Sequence, residues 1–83
     1  TEKDYRKLKE YLDTQQFYAL RRGRESHAAA ALIYFRCRKA GYTITGTIDC
    51  LIAQTCLENR LALLHHDRDF TWIKKVVPEL MIY

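Results

Sequence analysis

The first twenty residues combine a helical pattern with a short β-prone run. Tyr5, Leu8 and Leu12 recur at helical spacing among charged residues, which predicts an amphipathic surface helix over residues 2–13. The run QQFYAL at residues 15–20 is short and rich in aromatic and aliphatic side chains, so it suits a brief strand.

The Ala-rich segment SHAAAALIYFRCRKAG predicts a helix with signals at both ends. Ser26 can cap its start through the hydroxyl, and its interior runs to Ala40. Gly41 then supplies the left-handed residue that commonly ends a helix. The segment GYTITGT that follows is a loop with a β-prone middle.

The next helix is predicted over about residues 48–58, where apolar residues recur at helical spacing. Thr47 can cap its start through the hydroxyl, and Asn59 is the expected terminator. The recurring apolar positions are Ile48, Leu51, Ile52 and Cys56.

The last third of the chain alternates strands with a helix. LALL at residues 61–64 is a continuous apolar run of the kind found in parallel strands covered on both faces. DFTWIKKVV at residues 69–77 suggests a short helix that Pro78 stops, and ELMIY at residues 79–83 suggests a last strand. Strands and helices at this spacing predict βαβ units, and therefore an α/β layered domain with a parallel sheet.

Length and composition fit one small packed domain spanning residues 1–83, with 48% hydrophobic residues. No apolar run approaches the ~18 residues of a membrane span, and no secretory signal is visible. The chain begins at Thr1 and its only methionine is Met81, so we expect a processed or truncated chain. Its three cysteines lack the spacing of a disulfide scaffold, which favours reduced thiols in a cytoplasm.

Charge is distributed unevenly along the chain. The formal net charge is +4, which favours a polyanionic partner. Residues 21–39 contain six basic residues and one acid, whereas residues 49–69 contain four acids and two bases. A basic segment and an acidic cluster therefore coexist in one small domain.

The basic segment opens with the predicted loop RRGRESH. Arg21, Arg22 and Arg24 can pair with phosphate, and Phe17 or Tyr18 can stack on a base. The alternative is a loop that is merely solvated.

Each acid of the acidic cluster has an ordinary explanation. Asp49 lies in a first helical turn, where the helix dipole favours a negative charge, and Asp67 or Asp69 can cap the helix that follows. A parallel crossover, however, brings the start of the Asp49 helix and the end of LALL to one edge of the sheet. Converging carboxylates need a cation between them, and Mg²⁺ and Mn²⁺ prefer carboxylate oxygens. The acids therefore predict a metal site built for phosphodiesters.

Histidines and cysteines raise the alternative of a zinc site. Cys50 and Cys56 lack the close spacing of a ligand pair and read as buried helical thiols, so we do not expect structural zinc. His66, beside Asp67, is instead a candidate contact for substrate or for a metal-bound water.

The stretch GYTITGTIDCLIAQTCLENRLALLHHDRDF resembles the second half of a PIN domain of the VapC type, a toxin of bacterial toxin and antitoxin pairs. The upstream segments YRKLKEYLD, QQFYAL and SHAAAALIYFRCRKAG are similar to the family's helix, short strand and Ala-rich helix, so the resemblance covers nearly the whole chain. Its most specific pattern is G-x-T-I-x-x-x-x-D-x-x-I-A from Gly41 to Ala53, followed by LLHHDRDF.

The resemblance implies a metal-dependent endoribonuclease, in which carboxylates hold Mg²⁺ or Mn²⁺ and a bound water attacks the RNA phosphodiester. Asp49 matches the acid that opens the late helix, and Asp67 matches the acid after the fourth strand, which implies metal-binding and catalytic roles for both. For Asp69 the resemblance implies one of three roles: a further metal ligand, a residue that contacts the metal ligands, or a helix cap. Many relatives carry Thr or Ser where this chain has His65, so no hydroxyl role is assigned there.

The implied fold is a three-layer α/β PIN-like fold with a central parallel sheet, of which this chain is a helix-rich carboxy-terminal fragment. The family's amino-terminal strand with its first acid, and a glutamate on an early helix, would precede Thr1. We therefore expect the chain alone to be inactive. A sheet without that strand has an open edge, which predicts an oligomer or a complex with the missing segment.

The implied partners are an RNA substrate and a cognate antitoxin, whose arginines can enter the acidic site in VapC-type toxins. The implied location is the cytoplasm, with no membrane contact. The alternative is a noncatalytic interaction module, a degenerate or truncated PIN domain that binds an antitoxin or dimerises.

Overall fold

The computed structural model describes residues 2–14, 18–44, 46–63 and 68–82. Helices and short strands follow one another there in the order α1 (Glu2–Thr14), α2 (Arg24–Lys39), α3 (Ile48–Asn59), β1 (Ala62–Leu63), α4 (Arg68–Val76) and β2 (Met81–Ile82). No helix within these ranges is long and apolar enough to cross a membrane.

Helix α3 is the centre of the domain. It contacts α1, α2, α4 and β1, so neighbours surround it on most sides. Such a helix buries residues all around its axis and not along one stripe. Its buried residues are Asp49, Cys50, Ile52, Ala53, Gln54, Thr55 and Cys56. The single apolar face that the sequence pattern predicts therefore understates the burial of this helix.

The two strands confirm the βαβ prediction for the last third of the chain. They pair in parallel, with Ala62 opposite Met81 and Leu63 opposite Ile82, and α4 makes the crossover between them. The early strand predicted at residues 15–20 is absent from its described part, residues 18–20; residues 15–17 lie outside the described ranges. The sheet of the described chain thus has two strands, and it does not include the wider sheet of a full three-layer fold.

The end of α2 is as the sequence predicts, but its start is not. Gly41 has φ 91°, and the amide of Tyr42 donates to the carbonyl of Cys37 at 2.9 Å, which closes the helix as a Schellman motif. The helix begins at Arg24, two residues before the predicted cap, Ser26. The cap prediction is wrong because Ser26 is the third residue of the helix; its buried hydroxyl accepts from the Arg22 amide and donates to Glu58, both at 2.9 Å.

The caps of α3 also differ from prediction in their chemistry. Thr47 precedes the helix as expected, but its hydroxyl makes no capping hydrogen bond. Arg60 takes the left-handed conformation that ends the helix, with φ 55°. Asn59 stays helical because its side-chain amide donates to the carbonyls of Ala19 and Thr55, at 3.0 and 2.9 Å.

Helix α1 turns its apolar stripe outward. Tyr5, Leu8 and Leu12 are 65%, 43% and 56% exposed, although an amphipathic surface helix ordinarily buries such a face. Lys7 is buried instead, and Tyr11 packs against the core. The contacts of Lys7 explain this orientation, since they lie in the acidic cluster.

The core lies where α2, α3 and α4 meet. Its largest fully buried apolar side chains are Phe70, Ile44, Ile73 and Leu80. All three cysteines are buried and free, which confirms the predicted burial of Cys50 and Cys56, and burial raises the pKa of the Cys50 thiol to about 12. A thiol that stays protonated at neutral pH is a poor nucleophile and a poor metal ligand.

Candidate metal-binding site

Two acids meet where α3 and α4 begin. Asp49 lies in the first turn of α3 and is 2% exposed, and Asp69 lies in the first turn of α4 and is 4% exposed. The two carboxyl groups are close enough to share a hydrogen bond. Helix α4 begins one residue earlier than predicted, at Arg68, so Asp69 is inside the helix and is not its cap. Asp67 lies outside the described residues.

The ammonium of Lys7 lies between the two acids. Its Nζ atom is 2.8 Å from Oδ2 of Asp49 and 3.5 Å from Oδ2 of Asp69. The Lys7 side chain is only 8% exposed, so this ion pair is formed away from bulk water. A residue of α1 thus supplies the positive charge that converging carboxylates require.

The surroundings of Asp49 perturb its carboxyl group. Burial raises the pKa of Asp49 to about 6; the hydrogen bond from Lys7 opposes this rise and the neighbouring Asp69 carboxyl adds to it. Among the described residues, the Lys7 ammonium faces the carboxyl groups of both Asp49 and Asp69. Oδ1 of Asp49 is buried and has no hydrogen-bond partner among the described residues. A buried carboxylate oxygen without a partner is costly, so this atom marks a place for a donor or a cation.

A cavity gives access to this cluster. Its volume is about 270 Å³, and it opens at the amino-terminal end of α3 beside Asp49. Its other lining residues are Asp4, Lys7, Gly46, Thr47 and Ile48. A space of this size holds several waters, which a hydrated cation would bring with it.

The donor set fits a hard divalent cation. Mg²⁺ is commonly held by one or two carboxylates together with waters, and Asp49 and Asp69 provide two carboxyl groups at one point. The described residues contain no group of three or more His, Cys, Asp or Glu side chains arranged to hold a metal. Any further protein ligand would have to come from outside them, and Asp67 is such a residue.

The basic loop is bound to the other end of α3. The Arg21 amide donates to Oε1 of Glu58 at 2.7 Å, and its guanidinium Nε donates to the Asn59 side chain at 3.0 Å. The Arg22 guanidinium lies 3.7 Å from the Glu58 carboxylate. Ser26 and Gln54 also donate to Glu58, at 2.9 and 2.7 Å.

Glu58 is the acceptor that organises this end of the helix. Burial alone would raise its pKa, but the hydrogen bonds from Arg21, Gln54 and Ser26 and the charge of Arg22 outweigh that effect and lower the pKa. Glu58 is nine residues from Asp49 along α3, which is about 13 Å. The structure therefore does not bring Arg21 and Arg22 to the buried acids, and phosphate contact by these arginines stays a prediction.

Two other predicted contacts stay predictions as well. Arg24 is exposed in the first turn of α2, beyond the loop in which the sequence places it. His66, like Asp67, lies outside the described residues. The residue that sequence reasoning missed is Lys7, because no local feature distinguishes it from Lys9 in the same charged helix; its contact with Asp49 spans 42 residues.

Fold and site together define a small helix-rich α/β domain with a buried acidic cluster. No protein-family model matches the chain. The chain is 40% identical over 48 residues to ribonuclease VapC11 of Mycobacterium tuberculosis and to VapC ribonuclease Mb1587 of Mycobacterium bovis. Those 48 residues are 58% of this chain, and the chain spans about a third, 36%, of the length of the curated relatives it matches. The similarity to VapC ribonucleases is therefore real but partial.

Proposed function

We propose that the protein is the toxin component of a toxin and antitoxin pair, a metal-dependent endoribonuclease of the PIN type that cleaves RNA phosphodiesters. Two findings support this proposal. Part of the chain is similar to VapC ribonucleases. The observation that carries the site is the buried Oδ1 atom of Asp49, which has no hydrogen-bond partner among the described residues and lies beside a second carboxyl group.

In this proposal Asp49 and Asp69 hold Mg²⁺ or Mn²⁺, and Asp67 is a further ligand by its place in the VapC-like pattern. A cation bound there would supply Lewis acidity for phosphodiester hydrolysis. Burial of Asp49 keeps the carboxylate fixed, and the cavity beside it leaves room for a phosphate group. The partners are RNA and a cognate antitoxin, and the location is the cytoplasm.

A second function is favoured by one specific contact. The Lys7 ammonium already neutralises part of the negative charge of the acidic cluster. A noncatalytic interaction module would need this neutralisation from the chain itself, whereas a metal site would not. In such a module the acids stabilise the fold or receive a cationic side chain of a partner. A measurement of metal binding distinguishes the two functions, because only the ribonuclease requires a bound metal.

The test is cleavage of single-stranded RNA by the full-length protein with and without Mg²⁺. We expect cleavage that requires the metal and falls at least about a hundredfold in Asp49→Asn and in Asp67→Asn, as when an electrostatic group of a catalytic site is removed. Asp13→Asn is the matched control, because Asp13 is exposed and pairs with Lys9 on the surface. Undiminished cleavage in both active-site variants would refute these assignments.

A further inference from the structure

Two aromatic rings and two cations form a continuous row on one surface of the domain. The rings of Tyr42 and Trp72 stack with centroids 5.7 Å apart and planes inclined by 13°. The Arg68 guanidinium lies over the Trp72 ring at 4.9 Å, and the Lys75 ammonium lies over the Tyr42 ring at 5.6 Å. We call these four side chains the aromatic row.

The row lies at the surface. Arg68 and Lys75 are exposed, and both rings are half-buried, so their outer parts are reachable from solvent. Among the described residues, no carboxylate pairs with either cation. Arg68 and Lys75 differ in this respect from Arg22, which pairs with Glu58, and from Lys7, which pairs with Asp49.

Exposed cations against half-buried aromatic rings match the chemistry of an unpaired nucleic acid strand. Proteins bind such strands with basic side chains that contact phosphates and with aromatic or guanidinium planes on which bases stack. The row offers both kinds of group in one line. The basic loop offers less, because the side chains of Arg21 and Arg22 already contact Asn59 and Glu58.

The position of the row relates it to the buried acids. Arg68 directly precedes Asp69 in α4, and Trp72 lies one turn further along the same helix. The Arg68 end of the row therefore adjoins the first turn of α4, which carries Asp69. We propose that the aromatic row is the contact surface for single-stranded RNA, positioning the strand for the acids; this inference rests on the proposed ribonuclease function.

Trp72 provides an intrinsic fluorescence probe of the aromatic row, because it is the only tryptophan of the chain. The full chain is titrated with a fluorescein-labelled single-stranded RNA of mixed sequence, in EDTA so that cleavage plays no part. Trp72 emission and RNA anisotropy are read together. We expect quenching of Trp72 that follows the anisotropy curve and weakens as salt is raised, as phosphate contacts require.

Substitutions in the aromatic row test whether RNA binds at these side chains. Trp72→Leu is expected to weaken RNA binding by at least about fivefold, the lower end of what one stacked base contributes, and Trp72→Phe is expected to recover much of the loss. Arg68→Gln and Lys75→Gln weaken binding and reduce its salt dependence. Lys9→Gln is the matched control, since it removes one exposed positive charge from α1.

Three results would overturn the inference. These are RNA binding that leaves Trp72 emission unchanged, equal loss in Lys9→Gln and Arg68→Gln, or equal quenching by polyglutamate, which has charge but no bases. RNA binding through the row without cleavage by the full-length protein in Mg²⁺ would refute the ribonuclease function and leave the RNA contact standing. The two failures are therefore distinguishable.

Discussion

The Nζ atom of Lys7 lies 2.8 Å from Oδ2 of Asp49, in a buried contact between α1 and the first turn of α3. This contact explains why α1 exposes its apolar stripe and buries a lysine. It also places a positive charge of the chain itself where the proposed site requires a cation. Lys7 and a divalent metal are therefore expected to compete for the same carboxyl groups.

Removing the ammonium tests this competition. Lys7→Met removes the ammonium that contacts two buried carboxyl groups, so the free energy of unfolding in EDTA is expected to fall by about 3 to 5 kcal/mol. Millimolar Mg²⁺ or Mn²⁺ should restore part of that loss, and the variant should bind the metal more tightly than the wild type. Denaturant unfolding with and without metal measures both effects.

The control for that variant is Lys9→Met, which removes an exposed lysine of the same helix. Its ion pair with Asp13 is on the surface, where such pairs contribute at most about 1 kcal/mol. Equal destabilisation of the two variants, or a metal response in neither, would contradict the role given to Lys7.

The stability of the metal-free protein should depend on pH through Asp49. Burial raises its pKa from 3.8 to about 6, so the folded state binds this proton more tightly than the unfolded state does. The contribution is complete below pH 3.8 and is lost as the pH rises past about 6, by an amount on the order of 3 kcal/mol. Lys7 and Asp69, which face Asp49 from α1 and α4, enter this balance.

The comparison that isolates this effect is Asp49→Asn, whose side chain does not titrate. Urea unfolding in EDTA at pH 4, 5, 6 and 7 should show the free energy of unfolding of the wild type falling relative to the variant across this range. A constant difference between the two proteins would contradict the raised pKa.

Glu58 should matter for stability at the opposite end of α3. Glu58→Gln keeps the size of the side chain but removes the charge that Arg22 pairs with and weakens the acceptor for Arg21, Ser26 and Gln54. We expect a loss of about 1 to 3 kcal/mol in the free energy of unfolding, typical of a disrupted charged hydrogen-bond group. The matched control Glu79→Gln, at an exposed position, should change it by less than about 0.5 kcal/mol.

RNA-binding measurements test whether the basic loop contacts substrate or is only fixed to Glu58. If Arg21 and Arg22 serve chiefly to fix the loop, Arg21→Gln and Arg22→Gln should weaken RNA binding less than Arg68→Gln does. The reverse order would return the phosphate contact to the loop that the sequence favours.

The exposed stripe of α1 predicts self-association. Tyr5, Leu8 and Leu12 together present an apolar surface of the kind that soluble monomers usually cover. Sedimentation velocity over a range of concentrations should show an oligomer, and the double variant Leu8→Lys with Leu12→Lys should shift it toward monomer. A monodisperse wild-type monomer at high concentration would contradict the predicted oligomer.

The sequence predicts well those structural features that depend on residues close together in the chain. The end of α2 follows from Gly41, and the βαβ unit follows from LALL and ELMIY with a helix between them. These signals depend on residues close in the chain, so no tertiary information is needed. The place of Asp49 in the first turn of a helix likewise follows from the helical pattern around it.

Features with distant causes were missed or assigned to other residues. Ser26 and Asn59 suit helix ends by type, yet each is used in a contact across more than 30 residues, with Glu58 and Ala19 respectively. The burial of Lys7 and the outward face of α1 depend on the acids of α3 and α4, which no pattern within α1 reveals.

The most direct test of a divalent-cation site at Asp49 is a Mn²⁺ titration followed by electron paramagnetic resonance, in which bound Mn²⁺ loses its free-ion signal. The wild type should bind Mn²⁺ at a specific site that Mg²⁺ displaces, and Asp49→Asn should lose that site while Asp13→Asn keeps it. Binding that is absent from the wild type, or equally strong in Asp49→Asn, would contradict a metal site at this cluster.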